Sequence, residues 1–168
     1  GLALPPGVRA FAVSSLAEAL EGADGVVLGV SSAGVTWAAR ALAPFVRPAL
    51  PLAMISKGLA WDGTALRVLP DVFVEALPAA ARAGVAPVAV AGPCIAGELA
   101  RRVPTAVVLA GRDQDACERW AERLRGPYYH VWTSSDVVGV EVCAALKNAY
   151  AMGIAFVQGI HAARGGSP

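Results

Sequence analysis

Lysine is nearly missing from this chain of 168 residues, although basic residues as such are not scarce. Of the 14 basic side chains 12 are arginine, and the only lysines are Lys57 and Lys147. Arginine stays protonated at any physiological pH, whereas a lysine that is desolvated or lies beside another cation can lose its proton. The two lysines are therefore the first candidates for proton transfer or for a compact positive charge in a binding site.

Charge and cysteine are also sparse, and each absence excludes a class of function. Charged residues make up 16% of the sequence and the net charge is +1, so there is no basic stripe for nucleic acid. The three cysteines, Cys94, Cys117 and Cys143, contain no Cys-x-x-Cys pair, so neither a disulfide framework nor a metal site is predicted. With no signal peptide recognised at the start, we expect a cytoplasmic protein with a small-molecule ligand.

Apolar residues are correspondingly abundant. They make up 56% of the chain, above the ~45–50% that is usual in soluble domains, and the mean hydropathy is +0.54. We expect apolar surface to be covered by a partner or a further segment, and a homo-oligomer is one way to do so. Residues 140–160 match the ~20 residues of a membrane span in length, but Glu141, Lys147 and Asn148 within them predict no membrane span.

The hydropathy pattern predicts an α/β fold, in which a partial Rossmann-type parallel sheet carries helices on both faces. Predicted strands are residues 25–30, 51–55, 87–91, 104–110 and 128–133. Five helices are predicted from this pattern. The first is short and opens at a capping box, Ser15 to Glu18, and the second follows the first strand to about residue 45. The others cover residues 64–77, which Pro70 should start or interrupt, 113–125 and 140–163. Residues 1–138 are expected to form a partial dinucleotide-binding domain, and residues 139–168 the start of a helical substrate domain.

The positions of the two lysines favour function to different degrees. Lys147 lies in the middle of the most apolar helix, where burial would favour a neutral amine suited to general acid–base chemistry. Asn148, the only asparagine, follows it at a mid-helix position that is mildly unfavourable for this residue. The alternative is a structural role for both residues, in which the Lys147 side chain extends to the surface and Asn148 caps a break in the helix. Lys57 follows a strand at the edge where α/β sheets bind ligands, yet Lys-Gly is also an ordinary turn.

A third candidate is the turn that begins at Gly92. Gly92 permits close backbone approach, and the helix that follows Cys94 and Ala96 could receive an anion at its first amides. The same pattern is also that of a simple capped helix start. Because no histidine lies near Cys94 in the sequence, we expect its thiol to line a ligand site rather than to act as a nucleophile.

Four segments stand out together by their order and spacing. They are residues 56–59 (Ser-Lys-Gly-Leu), 91–98 (Ala-Gly-Pro-Cys-Ile-Ala-Gly-Glu), 104–108 (Pro-Thr-Ala-Val-Val) and 134–148. The most specific part is residues 135–141 followed by Ala-Leu-Lys-Asn at 145–148. From about Ala3 to Ile160 the chain thereby resembles the NAD(P)-dependent glycerol-3-phosphate dehydrogenases.

The resemblance implies an oxidoreductase that interconverts dihydroxyacetone phosphate and sn-glycerol 3-phosphate with NAD or NADP. It implies that Lys147 exchanges a proton with the substrate oxygen and that Lys57 contacts both substrate and cofactor. Gly92 and Cys94 would line the substrate site, Asn148 would support the reacting end, and Ala96 would contact the cofactor.

The sequence departs from the family pattern in three ways. It contains no G-x-G-x-x-G loop, and it contains no later helical domain with phosphate-binding residues. In addition, Cys94 stands where the family usually has serine or threonine, and Ser31 where it usually has proline. Two other functions therefore stay open. One is a hydroxyacid-dehydrogenase relative with another substrate, and the other is a non-catalytic truncated remnant that binds a partner.

Overall fold

The computed structural model of the chain describes residues 5–48 and 50–165, which form seven strands and seven α-helices. The strands are β1 (Val26–Leu28), β2 (Leu52–Met54), β3 (Leu59–Trp61), β4 (Leu66–Val68), β5 (Val88–Ala91), β6 (Thr105–Ala110) and β7 (Tyr129–Ser134). The helices are α1 (Leu16–Leu20), α2 (Val35–Leu42), α3 (Leu69–Ala76), α4 (Ala79–Arg82), α5 (Ala96–Ala100), α6 (Gln114–Leu124) and α7 (Val137–Ala163).

Five strands form the central sheet in the order β1-β2-β5-β6-β7, and all neighbours are parallel except β5 and β6. The five predicted strands and the Rossmann-type α/β class are confirmed. The antiparallel pair was not predicted. Its cause is the connection, because a parallel neighbour needs a crossover that carries the chain back along the sheet. The five residues of α5 span only about 7.5 Å, so β6 starts at the edge where β5 ends.

The two faces of the sheet have separate cores. On one face α2 and α3 pack against β1 and β2 around Leu28, Met54 and Phe73. On the other face α6 places Trp120 against β5, β6 and β7. Helix α7 begins on the first face, where Val137 packs with Ala89 and Ala110. Alternating side chains along each strand supply both cores.

The predicted helix over residues 64–77 is wrong in its first half. Residues Leu59–Trp61 and Leu66–Val68 pair as an antiparallel hairpin, and α3 begins only at Leu69 with Pro70 in its first turn. Proline is favoured there because its missing N–H would have no partner in the helix. Asp62 stabilises the hairpin turn by accepting hydrogen bonds from the N–H groups of Thr64 and Ala65 at 2.9 Å each.

Two predicted helix starts had different outcomes. The short helix predicted at Ser15 is confirmed as α1, but its capping box is wrong: Ser15 lies in a 3-10 turn and makes no cap hydrogen bond, and Glu18 instead pairs with Arg9 at 3.0 Å. A serine in that turn lacks the extended backbone that an N-cap requires. The start near Asp113 is confirmed, because its carboxylate accepts a hydrogen bond from the N–H of Ala116 at 3.1 Å.

Helix α7 starts three residues before the predicted Val140. The Asp136 carboxylate caps it by accepting a hydrogen bond from the N–H of Gly139 at 2.8 Å. Only the first third packs on the sheet, and the residues after 145 are exposed. In length and composition α7 is apolar enough to cross a membrane, but this property alone is weak evidence for a membrane span. The domain division at residue 138 stays a prediction.

Replacing the buried Phe73 tests the first core. The side chain is 0% exposed, so Phe73→Ala is expected to lower the free energy of unfolding by about 3–5 kcal/mol through lost burial and a cavity. Phe156→Ala on the exposed part of α7 is the matched control and should change it by less than about 0.5 kcal/mol. Urea denaturation measures both, and equal effects would contradict the assigned core.

Candidate functional site

One edge of the sheet collects the loops that carry most candidate residues. The carboxyl ends of β1, β2 and β5 lie there because these strands are parallel. The amino ends of β6 and β7 lie at the same edge because β6 runs antiparallel to β5. Loops from both directions of the chain can therefore line one site.

The backbone at Lys57 is held by its neighbours. Ser56 is buried, and its hydroxyl donates a hydrogen bond of 2.6 Å to the carbonyl oxygen of Val30, which joins the loop after β2 to the loop after β1. Gly58 follows with φ +129°, a conformation open to glycine, and a Cβ there would lie 3.3 Å from Ser32 Cβ. Lys57 therefore projects from a fixed turn although its side chain is exposed.

Gly92 lies where the backbone of β5 comes closest to β6. Its φ is +154°, and a Cβ would lie 2.5 Å from the carbonyl oxygen of Ala106 and 2.9 Å from Val107 Cα. Both atoms belong to the backbone and cannot rotate away. Only glycine fits at this position, because the approach is between two strands; the approach of this backbone to a ligand stays a prediction.

A cavity of about 270 Å³ opens beside Gly92 at this edge. It brings together four of the six residues predicted to form the site: Lys57, Gly92, Cys94 and Ala96. The rest of its wall is mostly apolar. These remaining lining residues are Ile55, Val90, Leu99, Val107 and Tyr129. The cavity thus combines an apolar floor with one ammonium, one thiol and one phenol.

Tyr129 is a lining residue that sequence reasoning missed. It lies at the amino end of β7, the end where parallel sheets do not bind ligands. The reversal between β5 and β6 moves this end to the cavity, and no pattern in the sequence revealed that reversal. Burial and the nearby Cys94 raise the pKa of Tyr129, so its hydroxyl stays neutral and can donate a hydrogen bond.

Lys147 and Asn148 do not line the cavity. They lie on the exposed part of α7, so the expectation that Lys147 is buried is wrong in this structure. The Lys147 ammonium donates a hydrogen bond of 2.9 Å to the Asn148 side-chain oxygen. From the β6 end at Val137, α7 packs against β5 and also against β3, which begins two residues after Lys57. The helix therefore runs toward the cavity edge.

Glu141 is a second residue with properties that sequence reasoning missed. It is 2% exposed, and its Oε2 atom has no hydrogen-bond partner. Burial raises the pKa of this carboxyl to about 7, while the N–H of Leu69 and the Lys57 ammonium act in the opposite direction. The signal in the sequence was an acidic residue on the inward face of an apolar helix, four residues after Val137.

A larger cavity of about 370 Å³ lies at the opposite edge of the sheet, near the start of β5 and of α7. No candidate residue lines it. Its two arginines already have acidic partners, since Arg112 pairs with Asp71 at 2.8 Å and Arg67 pairs with Glu75. No cluster of three potential metal ligands occurs among residues 5–48 and 50–165. The smaller cavity is therefore the candidate site.

Comparison with known proteins assigns the fold and the residues around this cavity to a family. The family described as the N-terminus of NAD-dependent glycerol-3-phosphate dehydrogenase matches residues 1–117, which include all four candidate residues of the cavity. The chain belongs to this enzyme family. The resemblance seen in the sequence is thereby confirmed.

Two curated relatives match more than nine tenths of the chain. It is 35% identical over 160 residues to glycerol-3-phosphate dehydrogenase [NAD(P)+] of Caulobacter vibrioides, covering 95% of this chain and 45% of the relative. It is 34% identical to the NADP(+)-dependent enzyme of Archaeoglobus fulgidus, covering 91% and 44%. The crystal structure of glycerol-3-phosphate dehydrogenase from Coxiella burnetii has a TM-score of 0.68 and 31% identity, covering 79% and 38%. The chain spans less than half the length of these relatives.

Substituting Gly92 tests the close approach at the cavity. Gly92→Ala is expected to lower the free energy of unfolding by about 1–3 kcal/mol, because the new methyl group meets backbone atoms in a strained conformation. Gly126→Ala is the control, since a Cβ at Gly126 meets no atom within 4 Å. Thermal and urea unfolding compare the two variants. If Gly92→Ala is no less stable than the control, the close approach does not exist.

The buried carboxyl predicts how stability depends on pH. Folding raises the pKa of Glu141 from its ordinary 4.5 to about 7. Between these values the folded chain binds a proton that the unfolded chain has released, so stability falls as pH rises from about 4.5 to 7. Glu141→Gln should weaken this decline. Urea midpoints at pH 5 and pH 8 measure it, and an unchanged decline in the variant would contradict the prediction.

Proposed function

We propose that this chain forms the catalytic centre of an oxidoreductase that interconverts dihydroxyacetone phosphate and sn-glycerol 3-phosphate with NAD or NADP. The observation that carries the proposal is the cavity in which Lys57, Gly92, Cys94 and Ala96 meet. Lys57 comes from the loop after β2, whereas Gly92, Cys94 and Ala96 come from the turn after β5 and the start of α5, so the cavity joins two separate parts of the sheet edge. Membership of the family supports the same reaction.

The cavity fits one end of a dinucleotide. Binding pockets for drug-sized ligands measure roughly 300–1,000 Å³, so about 270 Å³ suits a ring with a small substrate rather than a whole cofactor. Gly92 lets the backbone approach a ligand closely, and Val90, Leu99 and Val107 offer an apolar surface to a flat ring. The sequence has no G-x-G-x-x-G loop for the diphosphate. When bound, the nicotinamide ring supplies the hydride chemistry at C2 of the substrate.

The residues of the chain bind the substrate and move its proton. Lys57 is the cation at the cavity wall and suits an anionic phosphate or diphosphate group. In the reducing direction the Lys147 ammonium donates a proton to the carbonyl oxygen of the substrate. In the oxidising direction the neutral amine accepts a proton from the hydroxyl group. Asn148 orients Lys147 through the 2.9 Å hydrogen bond between their side chains.

The approach of Lys147 to the cavity is part of the proposal. Lys147 lies about 15 Å along α7 from its start at Val137, since each helical residue adds about 1.5 Å. A strand of four to six residues spans roughly 13–20 Å, so the helix reaches the cavity edge at about this residue.

The side chains of Cys94, Cys117 and Cys143 are free thiols, which supports a reducing location such as the cytoplasm.

Turnover of dihydroxyacetone phosphate with NADH and NADPH tests this proposal. We would measure it on the 168-residue chain and on the product of its complete reading frame. Lys147→Ala in that product should lower kcat by about 10²–10⁴-fold. Lys147→Arg should not restore it, because arginine does not release its proton. Arg164→Ala, at the end of α7, is the control for loss of a cation from this helix.

Each outcome selects one function. Activity that depends on Lys147 in a folded variant supports the proposed reaction and the proton-transfer role. An inactive product with this substrate overturns the reaction and favours a hydroxyacid-dehydrogenase relative or a non-catalytic binding domain. Full activity of Lys147→Ala overturns the role of the lysine alone.

A further inference from the structure

A further cavity, which we call the side cavity, lies next to the candidate site at the same edge of the sheet. It measures about 350 Å³. Two of its lining residues, Leu99 and Tyr129, also line the candidate site. The others are Leu124, Gly126, Pro127 and Tyr128, so the lining of the side cavity carries no charge. Because Leu99 and Tyr129 border both cavities, their side chains form the wall between them.

The two halves of this wall are held by different elements. Tyr129 begins β7, where its backbone exchanges hydrogen bonds of 3.0 and 3.2 Å with Gly126. It lies opposite Thr105 of β6, and its side chain packs against the core on this face of the sheet. Leu99 lies in α5, where its N–H donates a hydrogen bond of 2.9 Å to the carbonyl oxygen of Ile95. The wall therefore spans from the sheet to the helix beside it.

The order of the strands gives the direction in which the candidate site extends. Its lining residues include members or direct neighbours of β2, β5, β6 and β7, which lie next to one another in the sheet in this order. Lys57 follows β2, and Tyr129 begins β7. Neighbouring strands are ~4.8 Å apart, so three steps separate the two backbones by roughly 14 Å. Lys57 and Tyr129 thus lie at opposite ends of the cavity.

The two ends of the cavity differ in chemistry. The end at Lys57 carries an ammonium group, which suits the phosphate group of the proposed substrate. The other end is closed by the hydrocarbon side chain of Leu99 and the ring of Tyr129, and the uncharged side cavity lies beyond them. A ligand whose phosphate binds Lys57 therefore extends toward the wall, and the position of the wall limits its length.

We propose that Leu99 and Tyr129 set the upper limit to the length of a phosphorylated ligand in the candidate site, and that Tyr129 is a specificity-determining residue. A three-carbon phosphate ends in front of the wall, whereas a longer apolar chain would have to displace the wall. Removing either side chain joins the two cavities and gives such a chain an apolar surface to pack on. The inference rests on the proposed function, because it takes Lys57 to bind the phosphate group.

Binding of alkyl phosphates to the 168-residue chain tests the wall. Butyl phosphate and octyl phosphate have the same anionic head group and differ only in the length of the apolar chain. Binding is measured as protection of the Cys94 thiol, which lines the candidate site, against alkylation by iodoacetamide. Mass spectrometry locates the label. The exposed thiol of Cys143 on α7 is the internal reference, since its protection reports binding to that helix instead.

The length of the alkyl chain should matter only when the wall is opened. In the wild type the dissociation constants of the two phosphates should agree within about two-fold. In Tyr129→Ala and in Leu99→Ala octyl phosphate should bind at least about ten-fold more tightly than butyl phosphate, because each buried methylene group contributes about four-fold. Tyr129→Phe keeps the ring, and Tyr128→Ala changes a residue of the side cavity alone, so both should match the wild type.

Each outcome decides the proposal. A wild type that already prefers octyl phosphate by about ten-fold overturns the wall, and so do alanine variants that keep the wild-type ratio. If Tyr129→Ala does not fold, Leu99→Ala in the neighbouring helix decides alone. Failure of both phosphates to protect Cys94 in every variant also overturns the proposal, because the cavity then holds no phosphorylated ligand. If the length preference appears but the complete reading-frame product does not turn over dihydroxyacetone phosphate, the proposed function fails and the size limit stands.

Discussion

The chain reversal at Gly92 is the constraint on which the site depends. The backbone of β5 lies so close to β6 there that a Cβ would come within 2.5 Å of the Ala106 carbonyl oxygen. Because β6 starts where β5 ends, β6 and β7 run opposite to β5. The amino ends of these two strands thus reach the edge that holds Lys57. An all-parallel sheet would have carried Tyr129 to the other edge, away from the cavity.

Much of this architecture could be predicted from the sequence because it depends on local pattern. Five apolar runs gave the five sheet strands, and Asp113 marked a helix start with its own side chain as the cap. The hairpin over residues 59–68 could not be predicted, because short apolar runs fit a helix and a strand equally well. The capping box at Ser15 failed for a different reason, since a 3-10 turn and the Arg9 ion pair competed for the same residues.

The residues of the candidate site also divide into those that could be predicted from the sequence and those that could not. Lys57 was found as one of two lysines, Gly92 and Cys94 from the turn after a strand, and Ala96 through the family resemblance, and all four line one cavity. Tyr129 could not be found, because its place depends on strand direction, which is a property of the whole sheet. The environment of Glu141 was equally hidden. A glutamate in an apolar helix does not reveal from its sequence position whether its side chain is buried against the sheet.

Helix α7 connects the sheet to Lys147 by a fixed number of residues. Asp136 anchors its start two residues after β7 ends at Ser134, so the helix cannot slide along its axis. Each residue turns an α-helix by about 100°. One residue inserted between Ala145 and Lys147 would therefore rotate the lysine a quarter of a turn or more away from its present side, while the buried residues Val137, Glu141 and Ala144 stayed in place. The chemistry of this edge thus depends on a residue count as strictly as on residue type.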